Sequence, residues 1–211
     1  MAALTGLQTE ILKRFFDHRK DFFVTGGAAL VGFHLRHRTT NDLDLFTPAD
    51  VLDDSERTLS EVAIEIGATT RALRRAPAFR RWIVERSDKS VIVDLVRDET
   101  PQVFEKLEVG GIVVDPPAEI LANKLCTLLS RVEPRDLLDV KMLEEAGFDA
   151  IAALPAAETK DGGLSAAQLA WVLSTYRIAA SAELYGVPRE ELERYRDSLI
   201  ERLSRAAFPR S

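Results

Sequence analysis

The sequence predicts an α/β protein in which a mixed sheet with flanking helices, about residues 1–115, is followed by an all-helical domain, residues 116–211. Two observations lead to this division. Helix-like and strand-like segments alternate up to Pro116-Pro117, and after those prolines every convincing apolar pattern recurs at helical spacing. A chain of 211 residues is also long enough for one ordinary domain or two small ones with buried cores.

The first half is expected to alternate helices and strands because amphipathic stretches are separated by short apolar runs with turn residues at their ends. The predicted elements are a helix at 4–19, a strand at 22–25, a helix at 28–36, a strand at 42–46, a helix at 50–66, strands at 79–85 and 91–96, and a strand pair at 103–109 and 112–114. Turns at Ser87-Asp88-Lys89 and Gly110-Gly111 make the last two pairs hairpins.

The second half carries helical periodicity throughout. The predicted helices cover residues 118–131, 135–146, 165–179 and 188–206. A loop is expected at 152–163, because this stretch contains Pro155 and Gly162-Gly163.

Composition excludes several classes of protein. No apolar run approaches the roughly 18 to 20 residues that span a bilayer, so we expect no membrane protein. Cys126 is the single cysteine, which leaves no internal disulfide, and the first ten residues lack the pattern of a secretory signal. We therefore expect a cytoplasmic protein. The net charge of −6 argues against a protein that coats nucleic acid over its whole surface.

One basic stretch, at residues 71–89, stands out against this acidic background. It has seven basic side chains and two acidic ones. Two interpretations are equally compatible with it: the solvated face of a strand pair, or a contact surface for a polyanion.

Three aspartates on predicted strands indicate a metal site. In the strand at 42–46, alternation sends Asp42 and Asp44 to one face and the intervening leucine to the other. Asp94 interrupts a strongly apolar strand and would complete a triad beside them. Carboxylates of this kind hold Mg²⁺, and Mn²⁺ is the expected substitute. In the alternative interpretation Asp42 and Asp44 line a wet sheet face and Asp94 pairs with an arginine.

A glycine turn precedes this strand. Gly26 and Gly27 lie between an apolar strand and a helix, where glycine lets the backbone approach a phosphate at a helix N-terminus. A plain tight turn is the alternative. His37 and Arg38 follow the helix and either contact phosphate or anchor the loop.

A charged cluster is expected among the helices of the second half. Lys124 shares the apolar stripe of its helix with Ile120 and Leu128, so it faces inward and needs an anion. Asp136 and Asp139 lie on one side of the next helix. Spacing alone leaves open whether Lys124 holds a ligand phosphate or pairs with Asp136 to join the two helices.

Taken in order, the glycine turn, the helix, the Asp-x-Asp strand and the later strand aspartate resemble the nucleotidyltransferase superfamily that includes polymerase β. More narrowly, Gly26-Gly27-Ala28-Ala29-Leu30, His37-Arg38 and Asp42-Leu43-Asp44-Leu45-Phe46 look like the AbiEii/AbiGii family of nucleotidyltransferase toxins of toxin–antitoxin and phage-defence systems. Lys124 and Arg135-Asp136-Leu137-Leu138-Asp139 match the later motifs of that family. Nearly the whole chain is covered. The chain departs from the family at Ala28, where a hydroxyl residue is frequent.

The resemblance implies a Mg²⁺-dependent transfer of a nucleotidyl group from a nucleoside triphosphate (NTP) to an acceptor such as the 3′ end of tRNA, with a cognate antitoxin as partner. It implies catalytic roles for Asp42, Asp44, Asp94, Lys124, Asp136 and Asp139, the first three as metal ligands. It implies nucleotide binding by Gly26, Gly27, Arg38 and Lys124, and a helical domain that closes over the active-site cleft.

Two other functions are compatible with the same residues. A small-molecule nucleotidyltransferase of the antibiotic-modifying kind would lack a basic surface long enough for RNA beside the cleft. A non-catalytic nucleotide-binding interaction module is the other alternative, and the intact set of three aspartates argues against it.

Overall fold

The computed structural model describes residues 4–131, 133–178 and 186–208. The chain divides into two compact units, one made of Met1–Thr100 with Glu105–Pro116 and the other of Pro101–Phe104 with Pro117–Ser211. The predicted architecture is confirmed: a mixed sheet with flanking helices comes first and a helical region follows. Within the described ranges no helix is both long and apolar enough to cross a membrane.

The first unit is built around a seven-stranded sheet with the strand order β3-β4-β5-β2-β1-β7-β6. The sheet is mixed, because β2 pairs with β5 and β1 with β7 in parallel while the other neighbours are antiparallel. Its elements are α1 (Gly6–His18), β1 (Phe23–Val24), α2 (Gly26–Ala29) continued by a π-helical turn (Leu30–His34), β2 (Asp42–Thr47), α3 (Leu52–Glu65), β3 (Thr69–Ala76), β4 (Phe79–Arg86), β5 (Lys89–Arg97), β6 (Leu107–Val109) and β7 (Ile112–Val114).

The two faces of this sheet differ in chemistry. One face, called the core face here, carries fully buried leucines and valines of β2 and β5 together with Trp82 of β4, whose indole N–H donates to Glu56 of α3 at 3.1 Å. The other face, called the aspartate face, carries Asp42, Asp44 and Asp94. Strand β2 alternates strictly between half-buried and buried residues, so its aspartates lie on the second face and its leucines pack in the core.

The second unit consists of α4 (Pro117–Ser130), α5 (Pro134–Glu145), α6 (Leu154–Lys160), α7 (Ala166–Thr175) and α8 (Arg189–Ala207). Leucines from four of these helices are fully buried and form its core. The predicted end of the third helix, at residue 179, lies outside the described residues.

The segment Pro101–Phe104 belongs to the second unit because two buried side chains hold its backbone. Glu119 of α4 accepts hydrogen bonds from the N–H groups of Val103 and Phe104 at 3.2 and 3.0 Å. Lys160 of α6 forms an ion pair with Glu119 and donates to the carbonyl oxygen of Pro101 at 2.8 Å. The strand predicted at 103–109 therefore starts only at Leu107.

One strand was missed, and one further prediction of local structure was wrong. Strand β3 was not predicted as an element, because it lies at the edge of the sheet and most of its residues are exposed, so its apolar pattern is weak. Helix α6 occupies much of the predicted loop at 152–163. Pro155 lies in the first turn of α6, where the missing N–H costs nothing, and Gly162-Gly163 come after its end.

Candidate active site

The three predicted aspartates share the aspartate face. Asp44 and Asp94 are directly opposite each other in the parallel pairing of β2 with β5, and Asp42 lies two residues earlier on β2. Asp42 and Asp44 are half-buried, whereas Asp94 is buried. As they stand, no three acidic, histidine or cysteine side chains of the described residues are grouped closely enough to hold a metal ion between them.

Asp94 is engaged by an arginine. Both of its carboxylate oxygens accept hydrogen bonds from Arg81 of β4, from Nε to Oδ1 at 2.8 Å and from Nη2 to Oδ2 at 2.6 Å. The hydrogen bonds with Asp94 raise the pKa of Arg81, and the charges of Asp42 and Asp44 raise it further. The arginine partner that the alternative interpretation gave to Asp94 is therefore present.

Arg81 could have been found from the sequence. It and Asp94 are equidistant from the Ser87-Asp88 turn, so a two-residue hairpin pairs them across β4 and β5. Sequence reasoning treated Arg81 only as one of seven basic residues, which hid this pairing.

The glycine turn packs against two of the predicted site residues. Gly26 has a φ of +60°, and a Cβ atom placed on it would lie 2.8 Å from Oδ2 of Asp44. A Cβ atom on Gly27 would lie 2.7 Å from Nη2 of Arg38. Arg38 is buried and also donates from Nη1 to the carbonyl oxygen of Thr39 at 3.0 Å. The turn thus brings Gly26, Gly27, Arg38 and Asp44 together, and side chains at either glycine would push the charged groups away.

Thr25 is a polar residue of this turn that sequence reasoning missed. Its backbone N–H donates to the carbonyl oxygen of Asp44 at 3.1 Å. Its hydroxyl oxygen is buried and has no hydrogen-bond partner. A buried hydroxyl without a partner is rare, which makes Thr25 a candidate ligand-binding residue of the turn.

Lys124, Asp136 and Asp139 meet in the interior of the second unit. Nζ of Lys124 lies 2.6 Å from Oδ1 of Asp136 and 2.7 Å from Oδ2 of Asp139, and all three side chains are at least nine-tenths buried. Burial opposes the charge on Lys124, but the attraction of Asp139 and Asp136 outweighs it and raises the pKa of the ammonium group. Oδ2 of Asp136 is buried without a hydrogen bond. The ion pair that would join α4 to α5 is thus formed, and the ligand role of Lys124 stays a prediction.

Most cations of the basic stretch at residues 71–89 are neutralised inside the first unit. Arg75 and Arg80 pair with acidic residues of α3, Arg81 pairs with Asp94, and Arg86 pairs with Glu10. The remaining three, Arg71, Arg74 and Lys89, have no acidic partner among the described residues. The part of this stretch that is available to a polyanion is therefore smaller than its composition indicates.

Comparisons with known proteins agree with the fold described above. JHP933 from Helicobacter pylori superposes with a TM-score of 0.61 at 15% sequence identity, over 93% of this chain and 88% of that one. MenT4, a nucleotidyltransferase toxin from Mycobacterium tuberculosis H37Rv, superposes with a TM-score of 0.54 at 14% identity, over 97% and 83%. No curated protein matches the sequence significantly. The family model described as nucleotidyl transferase AbiEii toxin, type IV toxin–antitoxin system, matches residues 10–209, so the chain belongs to the AbiEii family and is a toxin-type nucleotidyltransferase.

Proposed function

We propose that this nucleotidyltransferase binds its NTP at the glycine turn and the aspartate face, and that a divalent cation on Asp42 and Asp44 is required for transfer. The observation that carries the proposal is the close approach of Gly26 to the Asp44 carboxylate, where a Cβ atom would lie only 2.8 Å from Oδ2. This approach puts backbone N–H groups that suit a phosphate next to an oxygen that suits a metal ion.

The residues present fit a hard divalent cation. Asp42 and Asp44 supply carboxylate oxygens from one face of one strand, and Mg²⁺ commonly takes one or two carboxylates together with substrate phosphates. The unpartnered Thr25 hydroxyl adds a further oxygen in the adjoining turn. We propose Mg²⁺, with Mn²⁺ as substitute. When bound, the cation would offset the negative charge that develops on the α-phosphoryl group and on the leaving pyrophosphate.

In the proposed reaction the acceptor hydroxyl oxygen forms a bond to the α-phosphorus of the NTP. The bond between that phosphorus and the oxygen of pyrophosphate breaks, and the hydroxyl proton leaves to a base or to water. Gly26, Gly27 and Arg38 hold the phosphates, and Asp94 lies beside Asp44 on the neighbouring strand. Lys124, Asp136 and Asp139 enter the proposal through the motifs of the family, with Lys124 on phosphate and the aspartates orienting nucleotide or acceptor.

The proposed acceptor is the 3′ end of a tRNA, and the proposed partner is a cognate antitoxin. Membership of a family of toxin nucleotidyltransferases supports a macromolecular target and an antitoxin. A small-molecule acceptor is the second candidate. It is favoured by the ion pairing of the basic stretch, which leaves only Arg71, Arg74 and Lys89 of the described cations there without an acidic partner.

The test is incubation of the protein with total tRNA, Mg²⁺ and each α-labelled NTP in turn. We expect label in tRNA from one of the nucleotides, and no label with the Asp44→Ala variant, because that change removes a carboxylate next to the phosphate site. Arg57→Ala, which alters an exposed arginine of α3, is the control and should keep full activity. Activity of Asp44→Ala with the usual Mg²⁺ requirement would contradict the metal assignment.

A further inference from the structure

The pairing of Asp44 with Asp94 puts two carboxylates side by side on neighbouring strands. Like charges in this position destabilise a sheet, and burial makes the cost greater because water does not screen the charge. Arg81 offsets this repulsion with its positive charge. It lies on β4, directly opposite Asp94 of β5, which in turn lies opposite Asp44 of β2. The first unit thus provides its own positive charge at Asp94.

The geometry of this pair matters as much as its charge. The guanidinium group of Arg81 binds both oxygens of Asp94, at 2.8 and 2.6 Å, in the bidentate form that gives strong and well-oriented ion pairs. These are the same two oxygens that a metal ion would need. Asp42, in contrast, has no ion pair among the described residues.

We propose that Arg81 takes the place of a second divalent cation at Asp94, so that the site binds one divalent cation through Asp42 and Asp44. Asp94 then acts as the anchor of Arg81 and not as a metal ligand. The side chain of Arg81 is 43% exposed, so its anchored charge can also act on a nucleotide bound at the aspartate face. This inference rests on the proposed nucleotide site, and it makes Arg81 a positioning residue of that site.

Removal of Arg81 should turn Asp94 from the partner of an arginine into a ligand for a divalent cation. Without the guanidinium group, Asp94 is a buried carboxylate next to another carboxylate, so the protein should lose stability and gain affinity for a divalent cation. Arg81→Met keeps much of the apolar stem and removes the charge. Asp94→Asn removes the negative charge and keeps the shape, and the double variant removes both charges.

The experiment measures Mn²⁺ binding by electron paramagnetic resonance and the melting temperature Tm with and without Mn²⁺, on the full chain without nucleotide. Wild-type protein and Asp94→Asn should bind one ion with equal affinity. Arg81→Met should melt roughly 10 °C lower without Mn²⁺, recover with it, and bind Mn²⁺ roughly tenfold more tightly or bind a second ion. The double variant should melt near the wild-type temperature without Mn²⁺ and bind one ion.

Arg75→Met is the matched control. Arg75 lies on the same hairpin and forms its ion pair with Glu56 of α3, so its loss should leave Mn²⁺ binding unchanged. Equal loss of Mn²⁺ affinity in Asp94→Asn and Asp44→Asn would overturn the inference, as would two ions bound by the wild-type protein. Failure of Asp44→Asn to weaken Mn²⁺ binding has a different meaning, because it would overturn the proposed metal site itself.

Discussion

At Gly26 the backbone conformation and the nearest neighbour both disfavour a side chain. The φ of +60° strains any residue with a Cβ atom, and that atom would meet Oδ2 of Asp44 at 2.8 Å. Gly67 has a similar φ of +67° but open space around it. A substitution at Gly67 therefore tests backbone strain alone, whereas a substitution at Gly26 tests strain together with displacement of the Asp44 carboxylate.

We expect Gly26→Ala and Gly67→Ala each to destabilise the protein by about 1–2 kcal/mol through backbone strain. Only Gly26→Ala should also abolish nucleotide binding and transfer, because it displaces Asp44 and blocks the backbone of the turn. Thermal melts measure the first effect, and NTP binding by calorimetry with the transfer assay measures the second. Normal NTP affinity in Gly26→Ala would show that the turn has only a structural role.

The environment of Lys124 predicts a large cost for its removal. Lys124→Met would leave Asp136 and Asp139 buried without the ammonium group that both of them contact, which should cost about 3 kcal/mol or more. Lys141→Met is the control: its partners Glu145 and Glu191 are 53% and 41% exposed, so water can solvate them and the loss should be smaller. Melts without nucleotide decide the structural role, and NTP affinity of the folded variant decides the ligand role. An unchanged Tm of Lys124→Met would contradict a clamp between α4 and α5.

At the scale of elements, one carboxylate of α5 forms several of the hydrogen bonds that join α5 to α8. Glu144 of α5 accepts hydrogen bonds from Arg202 at 2.7 and 2.6 Å and from the hydroxyl of Tyr195 at 2.6 Å, and its Oε1 also accepts from the N–H of Ala150. Burial alone would raise the pKa of Glu144, but these bonds from Arg202, Tyr195 and Ala150 outweigh it and lower the pKa.

A lowered pKa in the folded state fixes the sign of the pH dependence. The contribution of Glu144 to the free energy of unfolding is fully present above its ordinary pKa of 4.5 and is lost as the pH falls through the lower folded value. Wild-type protein should therefore lose Tm faster than Glu144→Gln as the pH falls below about 4.5. Glu201→Gln, at an exposed ion pair of α8, should follow the wild-type curve. If the Tm of wild type and of Glu144→Gln falls equally with pH, the Glu144 carboxylate does not cause the acid sensitivity.

Elements with a strong period or a clear turn could be predicted from the sequence, and the others could not. The hairpin of β4 and β5 was predicted because a short polar turn separates two apolar runs. Strand β3 is an exposed edge strand rich in arginine, so only its pairing with β4 defines it. Helix α6 was hidden by Pro155, because a proline in the first turn of a helix looks the same in the sequence as a proline in a loop.

Local sequence patterns likewise predict only part of the candidate site. Alternation along β2 predicts that Asp42 and Asp44 share a face, since this needs only the local period of the strand. Helical spacing predicts that Lys124 faces inward, but it could not choose between Asp136 and a ligand phosphate, and it did not name Asp139 as a second partner. The close packing of Gly26 on Asp44 and the unpartnered hydroxyl of Thr25 depend on atomic distances, which no local pattern contains.

For the molecule as a whole, the net charge is −6, but this total does not show where the arginines lie. Those of β3 and β4 are divided between the two faces of the sheet. By cross-strand register, Arg75 and Arg80 share the core face with Trp82, and acidic residues of α3 neutralise them. Arg74 lies opposite Arg81, and Arg71 lies opposite Ile83 on the same face. Arg71 and Arg74 therefore lie on the aspartate face, and they have no acidic partner among the described residues.

This division predicts which arginines an RNA acceptor would contact. Reversal of Arg71 and Arg74 to Glu should weaken tRNA binding and reduce the slope of log affinity against log salt by about 1.4, if each contacts one phosphate of a single strand. Reversal of Arg14 and Arg57 changes the net charge equally on exposed surfaces of α1 and α3, and it should alter the slope much less. Salt titrations of tRNA binding by the two double variants measure this difference, and both should keep their affinity for NTP. Equal slopes in the two variants would mean that RNA senses only the net charge, and unchanged tRNA affinity in both would favour a small-molecule acceptor.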